Sequence, residues 1–193
     1  DPSATTTTDE PATTTDTTDA TTDPTATTGE QIAKQLGQDI RDMELFMRFG
    51  YALPTHDIRR EQAVVRAKMD GLSARLKTAN RESGAALHYG LGRGHLVLRQ
   101  YADAQRELQI ALQAGYESES LRTALGLALG ERYRQELTQA KRFGNKQWIA
   151  QRDQELTTEF LHPALKYLRD DPQGVESPLY VKGLLAFYQQ QHE

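Results

Sequence analysis

The sequence predicts an all-α fold: a short superhelical array of antiparallel helix hairpins, preceded by a helical pair and a disordered Thr-rich N-terminal tail. Three observations predict it. Apolar residues recur at helical spacing from residue 29 onward, a Leu-Gly pair returns after 34 residues, and residues 1–28 hold almost nothing that a core could use.

The tail contains fourteen threonines, three prolines and six acidic residues, with no Lys, Arg, aromatic, Leu, Ile or Val. Such a segment buries too little apolar surface to offset its chain entropy, so it reads as a flexible spacer. As a Gaussian coil it averages about 30 Å end to end and stretches to about 95 Å. Residues 29–193 are long enough for one domain with a core. The formal charge of −4 belongs to the tail, because beyond it 23 Lys and Arg face 21 Asp and Glu. A nearly neutral, interspersed charge pattern offers no electrostatic footprint for nucleic acid. No apolar run reaches the length of a membrane span, and zero cysteines exclude disulfides, Cys-ligated zinc and thiol chemistry.

Within a helical pair at 29–80, Ile32, Leu36, Ile40, Met43 and Met47 form the stripe of a helix over 29–53, which Pro54 ends. Asp57 is placed to cap a second helix, whose Ile58, Val65, Met69, Leu72 and Leu76 share one face. The pair "GLGRGHL" and "GLALGER" then sets Leu91-Gly92 and Leu125-Gly126 one period of 34 residues apart, the length of a tetratricopeptide repeat. The first unit, 85–118, continues with Tyr101, Ala104, Leu108 and Ala111 at the aromatic, small, large and small positions of that pattern. Tyr116 stands where proline is usual, which makes the closing turn atypical. The second unit, 119–172, has a long first helix over about 121–141, a break at "FGNKQW" and a helix over about 147–169. Pro163 predicts a kink or restart there, and Ala164 and Leu168 supply the small and large positions late. A third, partial unit spans 177–193 with Tyr180, Gly183, Phe187 and Tyr188 on its first helix.

The stretch "HYGLGRGHLVL" poses the main chemical question. A phosphate-binding loop sets its glycines between a strand and a helix, usually with Lys-Ser/Thr after them. Here the flanks are helical and no such pair follows. Gly90, Gly92 and Gly94 correspond, one period on, to Ala124, Gly126 and Ala128, so the requirement is small size rather than positive φ. Three glycines weaken a helix by about 2–3 kcal/mol relative to alanine, which close packing must offset. The segment is a helix.

Other groups read as structural. His88 and His95 lie seven apart on one helix face, yet no HExxH or carboxylate cluster supports a metal. His95 occupies a packed aromatic position, and His56 suits a turn contact. No nucleophile elbow appears. Glu155 and Glu159 read as a solvated face, and Trp148 at a helix start reads as a plug more readily than as a ligand anchor. The reading is of no enzyme, no catalytic residue, no cofactor and no metal.

The blocks "LGQDIRDMELFMRFGYALPTHDIRREQAVVRAKM", "ALHYGLGRGHLVLRQYADAQRELQIAL", "TALGLALGERY", "HPALKYLR" and "SPLYVKGLLAFYQQQHE", in this order, resemble the C-terminal region of bacterial Ser/Thr protein kinases that carry tetratricopeptide repeats. The resemblance covers roughly residues 30–193. It implies an upstream cytoplasmic kinase domain, a transmembrane helix absent from this chain, and a periplasmic sensor region that binds a protein, peptide or ligand. Envelope stress or secretion-system control is the process it implies. None of the kinase's own VAIK, HRD or DFG elements is present, and the Thr-rich leader lies outside the shared pattern. A cytoplasmic scaffold recruiting kinase substrates is the alternative, and a second copy of the chain is an alternative partner. By the repeat's register, groove positions are Tyr89, Arg93, Leu96 and Val97 in the first unit, Leu127 and Glu131 in the second, and Val181, Leu185 and Tyr188 in the third. Arg93 is the position expected to meet a carboxylate.

Overall fold

A computed structural model describes residues 24–54, 56–169 and 178–190. Among these the chain is all-helical: α1 (Pro24–Ala52), α2 (Arg59–Leu76), α3 (Arg81–Val97), α4 (Tyr101–Gln113), α5 (Glu119–Phe143), α6 (Lys146–Leu156), α7 (His162–Arg169) and α8 (Pro178–Gln190), with a five-residue π turn, Thr157–Leu161, joining α6 to α7. The first 23 residues of the tail, and the connection at 170–177 where the third unit was placed to begin, lie outside the described residues. Helix α1 begins at Pro24 rather than near residue 29, so residues 24–28, read as tail, are helical backbone.

The predicted stripes are buried from Leu36 to Met47 and from Val65 to Leu72; Ile58 and Leu76 are partly buried, and the Ile32 side chain lies outside the described residues. Leu36, Ile40, Met43 and Met47 of α1 meet Val65, Met69 and Leu72 of α2 in one core with Leu87 and Leu91 of α3 and Leu108 of α4. A second core joins Leu129, Tyr133 and Leu137 of α5 to Phe160, Leu168 and Tyr188. Helix α5 crosses from one core to the other, with Leu121 and Leu125 in the first.

Local chemistry sets the ends. Asp57 Oδ1 accepts the Arg59 backbone N–H at 3.1 Å beside the start of α2, while Asn80 and Asn145 cap α3 and α6 through the N–H groups of Ser83 and Trp148. Helix α4 closes on Gly115, whose φ of 93° suits glycine, with the N–H of Tyr116 reaching Ala111 O and that of Gly115 reaching Leu112 O. This replaces the proline turn, and Tyr116 stacks on Tyr89 with centroids 4.9 Å apart. Ahead of Pro163 the chain widens, and the His162 N–H bonds to Thr157 O, five residues back.

Gly90, Gly92 and Gly94 sit in α3 at helix crossings. A Cβ at Gly92 would stand 2.5 Å from Leu108 Cγ, and one at Gly126 would stand 2.6 Å from Leu168 Cγ. The α3–α4 and α5–α7 pairs therefore each close a glycine of the first helix onto a leucine of the second.

Candidate binding cavity

Helices α1, α3, α5 and α8 line a cavity of about 570 Å³. Its apolar lining includes Met47, Leu96, Val97, Ala124 and Leu127, and tyrosines Tyr51, Tyr101 and Tyr180 stand around it. Charged members are Glu44, Arg48, Arg93, Arg99 and Glu131.

Of the groove positions read from the register, Arg93, Leu96, Val97, Leu127 and Glu131 come together here. The remaining four do not line the cavity. Tyr89 is buried against Tyr116. Val181 and Tyr188 are buried in the second core, with Leu185 packed against it. Tyr188 fits because Gly130 has no side chain where its ring lies, and its hydroxyl donates to Glu131 at 3.0 Å. Burial, then the neighbouring Glu131 carboxylate, pushes the Tyr188 phenol well above its ordinary range.

Arg93 meets its carboxylate within the protein. Its Nε donates to Glu44 Oε1 at 2.8 Å, a second guanidinium nitrogen bonds the same oxygen, and the Tyr89 hydroxyl accepts at 3.0 Å. Glu131 is likewise engaged, by Arg134 at 2.9 Å and by Tyr188. The cations that face the cavity without an ion pair among the described residues are Arg48 and Arg99. Arg99 lies over the Tyr51 ring, 4.4 Å from its centroid, and holds φ at 59°, the left-handed conformation in which a helix end usually uses glycine. Partial burial, then Glu131, raises the Tyr101 phenol. Its hydroxyl stays a neutral hydrogen-bonding group at neutral pH. The arrangement is suited to recognition: an apolar floor, neutral hydroxyls and two unpaired guanidinium groups.

Register reasoning missed Glu44, Arg48 and Tyr51, because α1 carries no repeat motif to place it in the array. It missed Arg99 and Tyr101, which lie in and after the turn closing α3, and it placed Tyr180 on the third unit's helix without a groove role. Three of the histidines have bonding partners within the protein. His88 Nδ1 bonds Glu107 at 2.8 Å, His95 Nδ1 bonds Gln100 at 2.8 Å, and His56 Nδ1 meets Pro54 O at 3.0 Å. Among the described residues no three His, Asp or Glu side chains gather as a metal site, and no helix is long and apolar enough to cross a membrane. Glu155 accepts from Arg152 and then from Gln151 on an exposed face, which lowers its carboxyl from the ordinary value. No protein-family model, curated protein or solved structure matches the chain.

Proposed function

We propose that the chain is a tetratricopeptide-like interaction module that binds an extended peptide or protein segment in the α1–α3–α5–α8 cavity, and that it serves as the sensor region of a bacterial membrane-anchored Ser/Thr kinase. The convergence of four helices on one cavity, with Arg48 and Arg99 facing it unpaired, carries the binding reading. A non-glycine residue held at positive φ beside that cavity supports it, since local backbone strain of this kind gathers at functional sites. A segment presenting an acidic group to the two arginines and an apolar side chain to Leu127 and Val97 fits the chemistry. The kinase assignment and the periplasmic location rest on the ordered sequence blocks; binding would alter the orientation of the parent receptor.

Peptides selected from a random display library against the chain test the binding reading. Replacing Arg48 by Glu, or Leu127 by Glu, is expected to weaken the selected peptides about tenfold or more, the scale of losing one charged or buried contact. The control His162→Ala lies outside the cavity and should leave affinity unchanged. Equal affinity for all three variants would remove the cavity as the binding site.

A further inference from the structure

Helix α5 runs 25 residues against 17 for α3, an excess of about 12 Å. Helix α6 packs on α5 and on the π turn, so the two form a hairpin projecting past the array. Its tip reads "KRFGNKQW", residues 141–148, with three cations, two large aromatic rings and no acidic residue. Phe143 is 87% exposed, the most exposed of the large apolar residues described, and Trp148 is 46% exposed. The Trp148 ring occupies the space that a side chain at Gly144 would fill.

Lys141, Arg142 and Lys146 are exposed and make no ion pair among the described residues. Helix electrostatics accounts for the first two, which close the C-terminus of α5. It does not account for Lys146, the first residue of α6, where the helix dipole disfavours a cation. Nor does packing account for Phe143. Basic residues flanking a projecting phenylalanine and a tryptophan are the chemistry of a membrane interface. The cations meet anionic headgroups, and the rings settle at headgroup depth. Glu136 and Glu155 line a cavity together with Phe143 and Trp148, and both carboxylates are paired with Arg152.

We propose that the α5–α6 tip docks on an anionic phospholipid surface, with Lys141, Arg142 and Lys146 on the headgroups and Phe143 and Trp148 inserted among them. This contact is separate from the cavity and does not depend on which segment the cavity takes. In a receptor already tethered to a bilayer, the tether would raise the effective concentration of a contact that is weak on its own.

The chain has one tryptophan, so its emission reports directly on the tip. The test is titration of the whole chain with phosphatidylcholine vesicles, with and without phosphatidylglycerol, following Trp148 emission and co-sedimentation. Expected is a blue shift that needs phosphatidylglycerol, weakens with salt and is quenched by brominated acyl chains. Each of Lys141→Glu, Arg142→Glu and Lys146→Glu should weaken binding about fivefold or more, and Phe143→Ser about tenfold. All four sites are exposed, so far-UV dichroism should stay unchanged, and Arg48→Glu should bind vesicles normally. The proposal is overturned by absence of binding at low salt, by full binding in the tip variants, or by binding that leaves Trp148 emission unmoved. It is also overturned if a single-stranded oligonucleotide shifts the emission where vesicles do not, or if Phe143→Ser only separates a lipid-free dimer.

Discussion

Gly92 and Gly71 are both glycines inside helices, and alanine should act on them in opposite directions. A methyl at Gly92 would press on Leu108 Cγ at 2.5 Å and on the Leu108 backbone nitrogen at 3.3 Å. Leu108 is fully buried and cannot swing away. Overpacking of this kind costs typically about 1–3 kcal/mol, and the better helix propensity of alanine returns only about 1. At Gly71 nothing lies within 4 Å of the added carbon, so the propensity gain stands alone. Urea unfolding should therefore show Gly92→Ala destabilised by up to about 2 kcal/mol and Gly71→Ala stabilised by about 0.5–1. A gain at Gly92 would mean the helices are not in contact there. Smallness at Gly92 and Gly126 was legible from their 34-residue offset. Their leucine partners sat at the expected pattern positions as well. What no local pattern carries is the pairing of Arg93 with Glu44, 49 residues earlier, which turns an apparent ligand contact into part of the wall. Tyr188 was misplaced for a similar reason, since its burial depends on the space left by Gly130 on another helix.

At the scale of elements, the second hairpin shows how a single imino acid is accommodated. Pro163 has no N–H to give and its ring crowds the carbonyl four residues back. The chain answers with the π turn at Thr157–Leu161, which keeps Leu156, Phe160, Leu161, Ala164 and Leu168 all buried in the second core. Sequence periodicity indicated the interruption and not its form, because a wide turn inserts a residue without resetting the stripe. Pro163→Ala restores the donor and removes the ring clash. With the wide turn already relieving part of the strain, the expected gain is about 1 kcal/mol, below the ~3 for proline in a regular helix. Chemical denaturation measures it. A loss of stability would show that the ring's own packing, and not the helix geometry, decides the site. The elongation of α5, and of the limb that α6, the π turn and α7 make together, was legible from the distance between Gly126 and Leu168, whereas the start of α1 at Pro24 was not, since Thr-rich sequence carries no helical stripe.

At the scale of the whole molecule, the described residues form two cores joined by α5, and the fully buried tyrosines lie in one of them. Tyr133 and Tyr188 both belong to the C-terminal core. Burial, then the Asp153 carboxylate that accepts its hydroxyl at 2.7 Å, pushes Tyr133 up to about 12, and Tyr188 is raised further in the same sense. A phenol whose folded pKa exceeds its unfolded value near 10 holds its proton more tightly when folded. Its stabilising contribution is complete below about pH 10 and declines as pH rises through the folded value. Tyr101 and Tyr116, outside the C-terminal core, are raised too, but both are only half-buried and keep part of their hydration. Alkali should accordingly loosen α6–α8 first. Between pH 10 and 12, Trp148 emission is expected to change before far-UV dichroism loses the helices of the N-terminal core, and Tyr188→Phe, which keeps the ring and removes the titrating hydroxyl, should move the emission change to higher pH. Coincident transitions that Tyr188→Phe leaves in place would mean that the two cores melt as one and that α5 transmits unfolding along the whole array.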